Sequence, residues 1–165
     1  MKRKPLRGLY FDSWEIGKEY IGMARTITET DVVTFNYLSR DVEDGPLYDI
    51  VDGKKLVGVH GTLTASIAQG LITTTGIFEG TEIAMLGSSM RWMHPVLADD
   101  TIVPVLVPTE KRLCSSRPGA GILKCEIVVY NQNDQAVMEM EWTLMVATSA
   151  EGAEANSLVN EAKER

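Results

Sequence analysis

The sequence has few of the residues that bind metals or form cross-links. Its 165 residues include two cysteines, Cys114 and Cys125, and two histidines, His60 and His94. Two cysteines are too few for a disulfide framework, and they lack the spacing of zinc ligands. No glycine-rich dinucleotide motif and no P-loop occur either. We therefore predict free thiols in a reducing, cytoplasmic compartment, with no bound metal.

Positive charge and long apolar stretches are also scarce. The chain has 16 Lys and Arg against 23 Asp and Glu, a net charge of -7, which disfavours a nucleic-acid-binding surface. The one dense basic cluster, at residues 2–7, is interpreted as a solvated terminus. No apolar run approaches the roughly 20 residues of a membrane span, and no signal peptide is visible. We expect neither a nucleic-acid partner nor a membrane span.

The length of the chain fits about one domain. We place that domain at residues 1–149, followed by a polar tail at residues 150–165 in which Glu and Ala dominate. Thr28 and Asp31 have the spacing of a capping box, which predicts a helix that begins there and ends near Ser39.

A second helix and a sheet are predicted after a polar connection at residues 40–58, which is interpreted as a long loop. The helix is expected from His60 to Thr75, because Leu63, Ile67 and Leu71 recur on one face. Four apolar runs then predict strands at Ile83–Met93, Ile102–Lys111, Gly121–Asn131 and Ala136–Ala147. One long helix against a mostly antiparallel, curved sheet is an α+β architecture.

Four segments together resemble the MaoC-like dehydratase family, which includes the R-specific enoyl-CoA hydratases. Their order and spacing carry the likeness over about residues 11–147. The segments are Ile27–Val32; Val59-His60-Gly61 with the helix through Leu71; Leu86-Gly87 through His94-Pro95-Val96 to Asp100-Thr101; and Glu110-Lys111-Arg112 with Ser116–Gly119 and Gly121-Ile122. The resemblance implies a hotdog fold, in which a curved antiparallel sheet wraps around a long central helix.

The resemblance also implies acid–base chemistry, and Asp41 is the expected base. In the family's signature an Asn stands two residues after the Asp and a His five residues after it. Here those positions hold Glu43 and Pro46, and a gapped match places Tyr48 where the His should stand. Tyr48, Glu43 and Asp44 are therefore candidate replacements, although a phenol with a pKa near 10 is a poor base.

The resemblance places the remaining catalytic candidates at the start of the second helix. The Gly61 amide is the expected oxyanion donor, since a glycine lets a thioester oxygen approach the backbone at a helix N-terminus. His60 could orient this loop or transfer a proton. Gln69, a candidate substrate-binding residue further along the helix, could hydrogen-bond the Asp41 region or lie exposed. His94 is interpreted as a packing or surface residue.

Substrate contacts are expected from two further regions. Lys111, Arg112 and Arg117 surround a Gly-Pro loop and match a basic pattern of the family; they could bind the phosphates of coenzyme A or be ordinary surface charge. Trp92 and Met93 are expected to be sheet residues, and one of them could line an acyl pocket.

These expectations lead to one main hypothesis and two alternatives. The main one is a hydratase or dehydratase that acts on an acyl-CoA thioester and needs no cofactor beyond the coenzyme A of its substrate. The alternatives are a non-catalytic acyl-CoA binder, which could be the silent partner of a related subunit, and a hotdog thioesterase. The resemblance further implies a homodimer or a higher homo-oligomer.

Overall fold

A computed structural model describes residues 8–41 and 48–156 of the chain. After a short 3-10 turn at Phe11–Ser13, three helices and eight strands follow. In chain order they are β1 (Tyr20–Ile21), β2 (Arg25–Thr26), α1 (Glu29–Ser39), β3 (Asp49–Val51), β4 (Lys54–Leu56), α2 (Gly61–Thr73), β5 (Glu82–Trp92), β6 (Thr101–Leu113), β7 (Ala120–Tyr130), β8 (Ala136–Ala147) and α3 (Ala150–Ala155).

The long strands form one antiparallel sheet that packs against α2. Its strand order is β1-β6-β7-β8-β5, and β2 pairs with the start of β6. In β6 the burial alternates residue by residue, so that Ile102 and Leu106 are fully buried in the core. Helix α2 buries the apolar face that contains Leu63, Ile67 and Leu71. The apolar face of the strand, which repeats every 2 residues, and that of the helix, which repeats every 3.6 residues, therefore pack into one core.

The sheet has two distinct ends, and each end of α2 lies near one of them. At the first end Trp92 of β5 pairs with Met138 of β8, and the segment before α2 is joined to the segment after β5 by the hydrogen bond from Val59 N to Val96 O. At the second end Ala147 of β8 pairs with Ala120 of β7. Met138 and Ala147 are nine positions apart along β8, about 30 Å at 3.3 Å per residue.

The predicted α+β architecture is confirmed, and most elements lie within two residues of their expected positions. Thr28 and Asp31 form both hydrogen bonds of the capping box at the start of α1. The connection predicted as a loop contains the β3–β4 hairpin, whose mostly exposed residues show no alternation that would have revealed it. Residues 150–156, assigned to the polar tail, begin with the short helix α3, where Gly152 packs against Gly119.

No helix among residues 8–41 and 48–156 is long and apolar enough to cross a membrane. In the same ranges, no group of three or more His, Cys, Asp or Glu side chains is placed to hold a metal ion.

The two cysteines are expected to differ strongly in reactivity. Burial raises the pKa of the Cys125 thiol to about 12, whereas a hydrogen bond from the Ser116 hydroxyl lowers the pKa of Cys114. Because the thiolate is the nucleophile, iodoacetamide at about pH 8 should alkylate Cys114 alone in the folded protein and both residues after denaturation. Peptide mass spectrometry measures this, with Cys114→Ser as the control. Rapid modification of Cys125 in the folded chain would contradict the burial described here.

Candidate active site

Asp41 is positioned by the end of α1. The Ser39 hydroxyl donates to the Phe35 carbonyl at 2.9 Å and accepts from the Asp41 amide at 3.3 Å. Between them Arg40 adopts a left-handed conformation, with φ of 61°, which ends the helix. Local hydrogen bonds therefore direct the chain away from the helix axis at the residue that carries the candidate base.

His60 caps the start of α2 and contacts Asp41 with the opposite side of its ring. Its Nδ1 accepts from the Thr62 amide at 3.3 Å and lies 2.7 Å from the Thr62 hydroxyl. Its Nε2 lies 2.5 Å from Asp41 Oδ2. Since an amide can only donate, Nδ1 is the acceptor, and the ring proton of the neutral imidazole is on Nε2, where it is directed at the carboxylate.

The structure thus brings together an imidazole and a carboxylate, although the chain has no His five residues after Asp41. The Asp41 and His60 side chains are 52% and 38% exposed, so that water reaches both. The sequence signal for this pair was the His-Gly dipeptide in front of a helix of small residues. Sequence spacing could not reveal the contact, because the two residues come from the ends of different helices.

Gly61 follows His60 and lies against the ring of Trp92. A Cβ atom at Gly61 would lie 2.3 Å from Trp92 Nε1, so that only glycine fits without moving the indole. The amide of Gly61 is one of the first N–H groups of α2, which have no intrahelical acceptor. No hydrogen bond from it is formed within the described ranges, and the helix dipole favours a negative group there.

A cavity of about 310 Å³ opens at this point. The helix start and the segment after β5 form its walls, and His94 is exposed at its rim. The lining residues are Val59, Gly61, Thr64, Trp92, Met93, His94, Pro95 and Val96. A backbone donor, an indole and apolar side chains thus line one space, and His60 lies between two of the lining residues in the chain, although neither it nor Asp41 lines the cavity.

Tyr48 lies just before the β3–β4 hairpin and contacts a different group. The Lys55 ammonium is 4.8 Å from the centroid of its ring, and the same ammonium pairs with Glu29 at the start of α1. The described part of the chain contains no hydrogen bond from Tyr48 to Asp41 or His60, and its catalytic role stays a prediction. The other candidate replacements, Glu43 and Asp44, lie outside the described residues.

Two predicted substrate-binding residues have other positions or partners. Gln69 is exposed on α2, eight residues after Gly61, which places it about 12 Å along the helix at 1.5 Å per residue. The Lys111 ammonium donates to the carbonyls of Asp12 and Trp14, at 3.2 and 2.8 Å. Lys111 thereby fixes the N-terminal segment to β6.

The two arginines predicted to bind phosphate lie at the second end of the sheet. Arg112 pairs with Ile122 near the end of β6, and Arg117 lies in the turn that leads into β7. The Asp41–His60 pair lies at the first end, beside the start of α2. Within one chain these arginines are thus about a strand length from Gly61, and their role in binding the phosphates of coenzyme A stays a prediction.

Comparison with known proteins identifies similar molecules. No family model matches the chain. The chain is 33% identical over 97 residues to Protein MaoC of Klebsiella aerogenes, a match that covers 56% of this chain and 28% of that protein. The chain thus spans little more than a quarter of that relative's length.

Solved structures extend the likeness over most of the chain. The monoamine oxidase regulatory protein from Archaeoglobus fulgius is 29% identical, with a TM-score of 0.73 over 86% of this chain and 96% of that one. A MaoC-like dehydratase from Rhodospirillum rubrum is 18% identical, with a TM-score of 0.70 over 85% and 97%. An R-hydratase from Pseudomonas aeruginosa is 23% identical, with a TM-score of 0.68 over 86% and 88%. The last two show likeness of fold alone, and the predicted hotdog fold is confirmed.

Proposed function

We propose that this chain, which is similar to Protein MaoC and has the fold of the MaoC-like dehydratases, adds water to the C=C bond of an enoyl-CoA thioester or catalyses the reverse dehydration. The observation that carries the proposal is the contact between Asp41 and His60 beside the free amide of Gly61. A base, an orienting imidazole and an oxyanion donor are the groups that this reaction requires.

The proposed hydration uses one carboxylate for both proton transfers. Asp41 removes a proton from a water molecule while the water oxygen bonds to Cβ of the substrate. The C=C electron pair moves toward the thioester, whose oxygen becomes negative. Asp41 then returns the proton to Cα, and the electrons of the enolate form the new C–H bond. One water is consumed and Asp41 ends as it began, so that no external acid or oxidant is needed.

His60 orients this base and need not itself exchange a proton with the substrate. Its Nε2–H donates to one oxygen of Asp41, which leaves the other oxygen for water. Its Nδ1 is held by Thr62, so that the ring cannot turn without loss of the helix cap. The imidazole expected five residues after the Asp is thus replaced, in our proposal, by one that reaches the carboxylate from α2.

A second copy of the chain would supply positive charge near the acyl site. The phosphates of coenzyme A need positive partners, and within one chain the arginines at the second end of the sheet are about a strand length from Gly61. We therefore include in the proposal a homo-oligomer, in which Arg112 or Arg117 of one copy approaches the acyl site of another. The proposed compartment is the cytoplasm, where acyl-CoA substrates occur.

The test is to mix the purified protein with crotonyl-CoA and longer enoyl-CoA thioesters and to follow the loss of the conjugated absorbance. We expect water addition with no release of thiol. Thiol release would identify a thioesterase, and calorimetric binding without either reaction would identify the non-catalytic binder. The oligomeric state is measured in the same preparation by light scattering, and a monomer would remove the proposed second copy.

A further inference from the structure

We propose that the indole N–H of Trp92 is a second hydrogen-bond donor to the thioester carbonyl, beside the amide of Gly61. This inference rests on the proposed function, because it names a further catalytic residue for the same site. The carbonyl oxygen would lie between the start of α2 and the end of β5. Two donors from different elements would then stabilise the charge that develops on that oxygen.

The first observation is the orientation of the indole relative to Gly61. The three atoms nearest to a Cβ built on Gly61 are Nε1, Cε2 and Cδ1 of Trp92, at 2.3, 2.6 and 2.8 Å. All three belong to the five-membered ring of the indole, which carries the N–H, and their similar distances place Gly61 over the face of that ring. The indole donor and the Gly61 backbone are therefore neighbours, and no side chain separates them.

The second observation is that the indole N–H is unused. Within residues 8–41 and 48–156, Trp92 donates to no protein acceptor, whereas the indole of Trp14 donates to the Leu9 carbonyl at 3.2 Å. Trp92 is 50% exposed at the cavity of about 310 Å³. An aromatic side chain of this size at a cavity wall offers apolar contact area and one directed donor to whatever enters.

The third observation is that the backbone on both sides of the cavity is held by hydrogen bonds. Trp92 is the last paired residue of β5, and the amides of Met93 and His94 both donate to the Val137 carbonyl, at 2.9 and 3.2 Å. On the opposite wall the Val59 amide donates to the Val96 carbonyl at 2.9 Å. A fixed backbone on both walls limits the rearrangement that is needed when charge develops, which favours oxyanion stabilisation.

The binding test uses the tryptophan itself as the probe. Trp14 and Trp142 are 1% and 3% exposed, so that a ligand at the cavity should alter mainly the emission of Trp92. Titration with hexanoyl-CoA, which has no double bond to hydrate, should change the fluorescence of the native chain but not that of Trp92→Phe. Calorimetry confirms that the variant still binds. An unchanged response in Trp92→Phe would overturn the proposed contact.

The hydrogen bond is tested by its spectroscopic signature. Infrared difference spectra of hexanoyl-CoA labelled with ¹³C at the carbonyl should show a lower C=O stretching frequency when bound, because donors polarise the carbonyl. Trp92→Phe keeps an aromatic ring but lacks the N–H, and the frequency should return toward the free value. Trp92→His keeps a ring N–H and should restore part of the shift. Equal frequencies in the native chain and both variants would overturn the proposal.

Turnover assays distinguish a failure of the Trp92 inference from a failure of the proposed function. If the protein hydrates enoyl-CoA, Trp92→Phe should lower kcat by about 100-fold with a small change in KM, as for the loss of one oxyanion donor. A purely structural role would instead raise KM or lower the melting temperature. If the native chain binds hexanoyl-CoA without turnover of any thioester, the hydratase proposal fails. The infrared shift then still shows whether Trp92 donates a hydrogen bond to the thioester carbonyl. Absence of any acyl-CoA binding would reject both.

Discussion

Asp41→Asn should lower kcat for enoyl-CoA hydration by about 10²–10⁴-fold, the usual contribution of a positioned acid–base group. The substitution keeps the size of the side chain and an oxygen that can accept from His60 Nε2, but an amide cannot remove a proton from water. KM should change little, because Asp41 does not contact the coenzyme A part of the substrate in this proposal. Stopped assays at several protein concentrations measure the residual rate.

Two further variants determine which part of the Asp41–His60 pair matters. Asp12→Asn makes the same change in an exposed 3-10 turn and should retain native kinetics. His60→Asn keeps an acceptor suited to cap α2 but loses the contact with Asp41. We expect it to retain the native melting temperature and to lose much of kcat. Native turnover in Asp41→Asn would remove the carboxylate from the mechanism, and a folded, fully active His60→Asn would remove the imidazole.

Gly61→Ala should be both inactivating and destabilising. Its Cβ would lie 2.3 Å from Nε1 of Trp92, so that either the half-exposed indole or the start of α2 must shift. Overpacking of this kind costs about 1–3 kcal/mol. Displacement of the ring and the added methyl group should also obstruct the amide, with a loss in kcat/KM of at least about 100-fold. Chemical denaturation and enoyl-CoA turnover give the two quantities.

Gly70→Ala is the matched control, because the same change is made in the same helix. Nothing lies within 4 Å of a Cβ added there. The lower backbone entropy cost of alanine should raise the free energy of unfolding by about 0.5–1 kcal/mol, with turnover unchanged. The two substitutions in α2 should therefore have opposite signs. Equal effects on stability would mean that the contact between Gly61 and Trp92 has no energetic consequence.

The fold was largely predictable because its signals are local and repeated. The capping box of Thr28 and Asp31 defined the start of α1, and apolar periodicity located α2 and the four long strands. The β3–β4 hairpin was missed because it buries little apolar surface, so that its residues show no alternation. Turn signals alone did not distinguish this hairpin from a loop.

Individual residues of the candidate site could be predicted from the sequence, but the contacts between them could not. The sequence supplied Asp41 and Gly61 through a family likeness, and it offered His60 with a choice between orientation and proton transfer. The contact between His60 and Asp41 joins two helix ends that are 19 positions apart, and no periodicity describes such a contact. The approach of Trp92 to Gly61 depends likewise on how β5 ends beside α2.

The separation between the two ends of the sheet has a consequence for how such a protein can diversify. The groups proposed to make and break bonds share one pole of the molecule, and the arginine-bearing turn occupies the opposite pole with α3. If Arg117 contributes to coenzyme A binding as proposed, substitutions in its turn would change the affinity for coenzyme A and leave the Asp41–His60 contact of the same chain in place. Substitutions at Trp92 would change the reacting end and leave the arginine-bearing turn of that chain unaltered. The two ends of one small domain could then accumulate substitutions separately during evolution.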